Sequence, residues 1–366
     1  MKPQWSPERI LLIRLREIGD VVFTTPAIRA IRQHFPKAHI SYVVEPLAAP
    51  VVERNPHLND VIVVPKRKGA RGLIDEIHVI RALRASHYDL AIDFHSGPRS
   101  SLMAWLSGAP VRVGYDVPGR GWMYTTRVAR PRDIRARHAV ENQFDLLNAI
   151  GIATSDPIYS PAEMVVETAA ATAVQQRLAS IGVRSDDEVI VIHVSAGNPF
   201  RRWPPDAFAS LISKLLRGHP ERRVVVVAGR SDRDAAARVI GESMDRADMT
   251  ERNRIVSADF TLAELRALMD RAALYIGGDS GPMHIASTST VPIVALYGPT
   301  LPVRSQPWRA PQWPSEAAEI EGLPCRPCNQ RVCEPGDFRC LTRLTPEQVM
   351  EAAERALDRA AAIGSH

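Results

Sequence analysis

The sequence predicts an α/β protein built from two Rossmann-like domains that face each other across a central cleft. Three observations carry that expectation. The chain has 366 residues, too many for one ordinary domain and suited to two, each able to bury its own core. Short β-branched runs alternate with amphipathic helical stretches along its length, the pattern of parallel sheets covered on both faces. A turn-rich segment from Gly151 to Pro161, GIATSDPIYSP, interrupts the alternation and marks a boundary.

The first domain, expected over 1–160, opens with RILLIR at Arg9–Arg14, a short apolar run ended by a turn at Gly19. From Asp20 a helical pattern runs through Val21, Ile28 and Ile31, giving strand, loop, helix. Further β-branched runs follow at His39–Val44, Val61–Val64 and Tyr88–Asp93, with a helical stretch at Leu73–Ala85, and an amphipathic stretch at His138–Ile150 closes the half.

In the second domain, expected over 161–366, helices are predicted at Glu167–Gly182, Pro205–Leu216, Asp232–Ile240, Leu262–Met269 and Pro282–Thr288. Strands are predicted at Glu188–His193, Arg222–Ala228, Leu274–Ile276 and Pro292–Leu296. A Cys-rich loop at 323–341 precedes an Ala-rich last helix, Glu347–Ala362, for which a return to the first domain is one arrangement. In open α/β sheets ligands sit beyond the carboxyl ends of the strands, so two such domains are expected to place their loop ends around a shared site.

Composition narrows the function classes. Apolar residues make up 45% and charged residues 24%, ordinary for a folded globular chain. The net charge of +5 comes from 46 Lys and Arg against 41 Asp and Glu, with Arg in excess, which suits a phosphorylated ligand or an anionic membrane surface. No apolar run reaches the roughly 18 residues needed to span a bilayer, and Met1–Arg9 does not lead into an apolar signal core. A cytoplasmic protein is therefore expected. The chain carries no GxxxxGK[ST], no HExxH and no GxGxxG after the first strand, which argues against a P-loop nucleotide hydrolase, a zincin protease and a dinucleotide dehydrogenase.

Three segments could carry chemistry. In RLREIGDVVFTTPAIRAIR, Arg14–Arg32, Asp20 lies at a helix start, where a carboxylate either caps the helix or serves as a general base. In YIGGDSGPMHIAS, Tyr275–Ser287, a strand, a Gly-rich turn and a helix start offer backbone N–H groups to a phosphate. There Gly277, Gly278 and Gly281 permit close approach, Asp279 and Ser280 offer polar groups, and His284 faces the same end; a tight turn with a capping Asp and a packed His is the alternative. In HVSAGNPFRRWPPDAF, His193–Phe208, Arg201 and Arg202 follow a strand end and could neutralise a leaving diphosphate, or be solvated surface residues. AGRSDRD, Ala228–Asp234, is a generic strand–turn signal.

Together these segments resemble glycosyltransferase family 9, the ADP-heptose:lipopolysaccharide heptosyltransferases, nearly end to end. The opening ILLIRLREIGDVVFTTPAIRAIR matches the family's first strand, its Gly-Asp and its following Thr-Pro, and GGDSGPMHIASTSTVPIVALYGPT matches its Asp-Ser/Thr-Gly-x-x-His helix and later Gly-Pro-Thr. The resemblance implies GT-B architecture and an inverting transfer of heptose from an ADP-heptose donor to a lipid-anchored saccharide, the lipid A-Kdo core of lipopolysaccharide, without a catalytic metal. It implies Asp20 as catalytic base and Arg201, with Arg202 beside it, as the donor-phosphate contact. Asp279 and His284 would line the donor site with the backbone of Ser280 and Gly281, while Pro282 has no N–H to give. Closure of the two domains would complete the site.

One departure bears on the acceptor: members commonly carry small hydroxyl residues before Gly-Asp, where this chain has Arg16-Glu17-Ile18. Arg16, Gly19 and the basic run with Lys66, Arg67 and Lys68 are the acceptor-side candidates; a lipid-anchored acceptor also implies peripheral contact with the inner membrane leaflet, which the run would suit. The four Cys, Cys325, Cys328, Cys333 and Cys340, match the tail of many members; their CxxC start suggests a structural zinc, and a proline-stiffened loop is the alternative. Other readings left open are a transferase for another nucleotide-sugar, a nucleotide-sugar epimerase and, outside enzymes, a nucleic-acid-binding protein, although no nucleic-acid module is present.

Overall fold

The structure, a computed structural model, describes residues 6–65, 67, 69–130, 137–152, 160–194, 198–229 and 232–364. The chain divides into two compact units, Met1–Val165 and Val166–His366, five residues beyond the boundary that the turn-rich composition suggested.

The first unit holds six parallel strands, β1 (Arg9–Ile13), β2 (His39–Val44), β3 (Asp60–Val63), β4 (Leu90–Asp93), β5 (Val111–Asp116) and β6 (Thr126–Ala129), in the order β3-β2-β1-β4-β5-β6. Ile10 to Ile13 of β1 are fully buried, as a central strand covered on both faces requires. The helices are α1 (Ile18–Val22), α2 (Thr25–His34), α3 (Gly69–Ala85), α4 (Pro98–Leu106) and α5 (Ala139–Asn148). The single helix expected from Asp20 to Ile31 is two helices, α1 and α2. Pro26 stands in the first turn of α2, where its missing N–H costs nothing; inside a continuous helix it would remove a hydrogen bond and clash.

The second unit repeats the plan. Its strands are β7 (Glu188–His193), β8 (Arg222–Val227), β9 (Ile255–Ser257), β10 (Leu274–Gly278), β11 (Ile293–Tyr297) and β12 (Ser315–Glu319), all parallel, in the order β12-β11-β10-β7-β8-β9. Read from the other edge this is the topology of the first sheet. Its helices are α6 (Thr168–Ser180), α7 (Pro205–Leu216), α8 (Arg233–Arg246), α9 (Met249–Arg252), α10 (Leu262–Met269), α11 (Gly281–Ala286), α12 (Pro302–Ser305), α13 (Arg339–Thr342) and α14 (Pro346–Gly364). The last of these, α14, packs on α7, β10, β11 and β12 of its own unit. Its buried face is small, with Val349, Ala352, Ala353 and Ala356, so the helix lies close against the sheet and joins the core of Ile190, Ile192, Phe208, Leu211, Val224 and Val226.

In each sheet the strand order reverses between two adjacent central strands, β1 and β4 in the first and β7 and β10 in the second. The crevice beyond the carboxyl ends at such a switch point is where open α/β sheets bind ligands. Among the described residues, no helix is long and apolar enough to cross a membrane.

Candidate active site

At the first switch point Ile13 of β1 lies in register with Asp93 of β4, and Arg14 follows directly. The Arg14 guanidinium donates to the Phe94 carbonyl at 2.8 Å and to the Arg16 carbonyl at 3.1 Å, and pairs with the Asp20 carboxylate. Asp20 stands within the first turn of α1, whose N-cap is Glu17, so the capping role weighed for it does not hold. Its side chain is 39% exposed while Arg14 is nearly buried. A carboxylate so placed is braced from one side and open on another.

At the end of β4, Asp93 is fully buried and held by uncharged donors: the His95 and Ser96 N–H groups, both at 2.9 Å, and the Tyr124 hydroxyl at 2.7 Å. Burial pushes its carboxyl up, against those hydrogen bonds. His95 is pushed down to about 4, first by burial and then by Arg14 and Arg16, with Asp20 opposing. Asp93 and Arg14 were not singled out from the sequence; the signal available was that YDLAID ends a strand on a carboxylate, as the later Asp motif does.

Of the acceptor-side candidates, Arg16 is exposed beside this pair, and Gly19 is buried in α1. Arg67 is exposed and pairs with Asp75 at 3.3 Å, whereas Lys66 and Lys68 lie outside the described residues.

The second switch point is built from charged partners. Gly277 of β10 is in register with His193 of β7, and Asp279 follows β10. Its carboxylate is 3% exposed, lies 3.1 Å from Arg201 Nη1 and 3.5 Å from His284 Nε2, and accepts from the Thr300 hydroxyl at 2.7 Å. Burial alone would raise its pKa; His284, Arg201 and Thr300 outweigh it and hold the carboxyl at about 2. The N-cap of α11 is Ser280, with no side-chain cap, so here too the capping alternative gives way to an ion pair.

Arg201 ends a short 3-10 turn, Pro199–Arg201, and also donates from Nη1 to the Asp279 carbonyl at 3.1 Å. Gly278 is what lets that loop come so close: a Cβ there would lie 3.1 Å from the Arg201 carbonyl oxygen. At Gly277 a Cβ would meet the Tyr275 hydroxyl at 2.6 Å, so both glycines accommodate the protein's own packing. Arg202 points elsewhere and pairs with Asp232 at 3.0 Å, in the segment read as a generic turn. The two arginines are therefore separated, and only Arg201 joins Asp279 and His284. Thr300 and Gln330, both in contact with this cluster, were not anticipated as site residues.

The four cysteines are free thiols, partly buried, lining a cavity of about 280 Å³ with Phe200 and Phe338. Among the described residues no group of three or more His, Cys, Asp or Glu comes together so as to hold a metal ion, so the zinc option finds no ligand set in this arrangement.

Comparison with known proteins decides the family. The model of glycosyltransferase family 9 (heptosyltransferase) matches residues 77–335. The chain belongs to glycosyltransferase family 9. It is accordingly an enzyme, a glycosyltransferase, and the nucleic-acid-binding alternative loses its support. The lipopolysaccharide heptosyltransferase 3 of Escherichia coli strain K12 is 28% identical over 351 residues, covering 94% of this chain and 96% of the relative. Among solved structures, the family 9 glycosyl transferase of Veillonella parvula DSM 2008 superposes with a TM-score of 0.80 at 27% identity, over 96% of this chain and 97% of that one. The E. coli ADP-heptose lipopolysaccharide heptosyltransferase II does so with a TM-score of 0.76 at 20% identity, over 96% and 99%, which establishes the shared fold. The two-unit α/β plan of this family 9 chain is thus that of solved heptosyltransferases.

Proposed function

We propose that this glycosyltransferase is an inverting heptosyltransferase that moves heptose from ADP-heptose to a lipopolysaccharide core acceptor, with Asp20 as general base. The observation that carries the reading is the Asp20 carboxylate, 39% exposed and braced by Arg14, beyond the carboxyl end of β1. In the step proposed, Asp20 takes the proton of an acceptor hydroxyl as its oxygen attacks the anomeric carbon. The bond from that carbon to the ADP oxygen breaks on the opposite face, and ADP leaves with the electron pair. Arg201 stabilises the charge that develops on the diphosphate, a task a divalent cation performs in other transferases, with the backbone of Ser280 and Gly281 beside it.

Relatives named for ADP-heptose and for lipopolysaccharide support this choice of donor and acceptor. Arg16, exposed next to Asp20, is the proposed acceptor contact nearest the chemistry. The basic run at Arg67 is the proposed contact with a phosphorylated acceptor or the inner leaflet, for an enzyme acting in the cytoplasm.

The test is ADP release from ADP-heptose in EDTA, with and without a lipid A-Kdo core acceptor. Release that requires the acceptor and survives EDTA is expected, with an inverted anomeric configuration in the product. Consumption of donor without acceptor would point to hydrolysis or epimerisation and overturn the proposal.

A further inference from the structure

The Cys-rich loop plays no part in the chemistry above, yet it reaches the residue on which donor binding rests. The Gln330 side-chain oxygen accepts from Arg201 Nε at 2.9 Å and from Asn198 Nδ2 at 2.8 Å. Asn198 in turn caps the turn that carries Arg201, its Oδ1 accepting from the Phe200 N–H at 3.0 Å. One amide oxygen therefore ties the guanidinium to the start of its own turn. Gln330 does this from a backbone at φ 58°, the left-handed region that a residue with a Cβ seldom adopts and that persists where the surroundings over-determine it.

The surroundings here are firm. The Cys328 N–H donates to the Pro299 carbonyl at 3.2 Å. Arg326 donates to the Thr300 carbonyl at 2.7 Å and pairs with Glu319 at 2.6 Å, and Phe338 meets Phe200 edge-on with ring centroids 5.2 Å apart. The loop is thus fastened to the same Gly-Pro-Thr segment that supplies the Thr300 hydroxyl to Asp279.

We propose that Gln330 is a positioning residue for the donor diphosphate: it fixes the Arg201 guanidinium in its phosphate-binding orientation before the nucleotide arrives. This rests on the reading of Arg201 as the donor contact. The residue type suits the task, because a neutral amide orients the guanidinium without adding to the negative charge that Asp279 already places beside it. A second carboxylate in its place would add to the charge of Asp279, already 3.1 Å from Arg201, and compete further with the diphosphate. Preorganisation of this kind acts on affinity, by removing the ordering cost that binding would otherwise carry.

The experiment is calorimetric titration of the full chain with ADP, together with the KM for ADP-heptose. The proteins are wild type, Gln330→Ala, Gln330→Glu, Arg201→Ala and the double variant Arg201→Ala/Gln330→Ala, with thermal melting as a control. Gln330→Ala should weaken ADP about five- to tenfold, the scale of one lost orienting hydrogen bond, and raise KM in parallel with little change in kcat or melting. Gln330→Glu, nearly isosteric, should bind ADP more weakly than Gln330→Ala. In the Arg201→Ala background Gln330→Ala should add nothing.

If Gln330→Glu binds as wild type does, or if the two single effects multiply in the double variant, Gln330 merely supports its loop and the proposal is overturned. If Arg201→Ala itself leaves ADP binding unchanged, the donor reading of Arg201 falls and takes the positioning role with it. If Arg201→Ala weakens binding while both Gln330 variants bind normally, only the positioning role falls.

Discussion

Asp93 and Asp279 stand at corresponding places in two sheets of one topology, the first ending β4 and the second following β10, each beside the strand at which the order reverses. Their surroundings are opposite. Asp93 is held by backbone N–H groups and a tyrosine hydroxyl, and burial pushes its carboxyl up. Asp279 is held by Arg201, His284 and Thr300, which keep it at about 2 against burial. The accessible carboxylate at the first switch point is a different residue, Asp20, in the first turn of α1. One topology thus yields an accessible carboxylate at one switch point and a locked anion at the other. The lesson is that a carboxylate's role is set by the charge and exposure of its partners rather than by its place in the fold.

That contrast can be broken in several ways. The largest effect is expected at Asp20: Asp20→Ala should cut turnover by about 10²- to 10⁴-fold, the range for a lost general base, read as acceptor-dependent ADP release. Next is Asp279→Ala, which leaves Arg201 and His284 without their shared anion. It should destabilise the protein by about 3 kcal/mol, measured by denaturant unfolding, and weaken ADP as well. Because its folded-state pKa is depressed, the stability that Asp279 contributes is present above its unfolded pKa and is lost as pH falls from about 4 towards 2.

The two arginines sharpen the comparison. Arg201→Ala should weaken ADP at least about tenfold, as loss of a charge-assisted contact to phosphate does, whereas Arg202→Ala, whose partner is Asp232, should change it less than about twofold. Equal effects in the same titration would mean that the separation of the two side chains has no functional meaning.

A separate effect concerns pH and stability. His193, at the end of β7, is buried and pushed down to about 4 by that burial, with Asp232 opposing. A histidine neutral in the fold and protonated when unfolded costs stability as pH falls from about 6.5 to 4, by roughly 1–3 kcal/mol over that window. His193→Asn should flatten the unfolding free energy between those pH values, whatever it does to the maximum.

The parts of this account that were legible in the sequence are those written locally. RILLIR and the Gly-Asp after it, or YIGGDSG with the helix behind it, are contiguous runs in which burial, turn and helix start follow one another. Of the edge strands, β3 was legible in the run Val61–Val64, whereas β6 and β12 were not. β6 reads TRVA and β12 reads SEAAE, and an edge strand covered on fewer sides has no need of an apolar run. The break between α1 and α2 was visible in Pro26 but outweighed by the apolar spacing that continues through it.

Long-range pairs were beyond reach for a different reason. Arg201 meets Gln330 across 129 residues and Asp279 across 78, and nothing in either segment names the other. That Arg201 and Arg202, adjacent in sequence, turn to different carboxylates is likewise settled only by packing.

The central proposal, that Asp20 is an accessible base in the first unit and that the Arg201–Asp279–His284 cluster of the second binds donor, is tested most directly by titrating ADP into Asp20→Ala by calorimetry. The account predicts wild-type affinity in a protein that has lost turnover. Loss of ADP binding along with turnover would place Asp20 in donor recognition and contradict the division of roles between the two switch points.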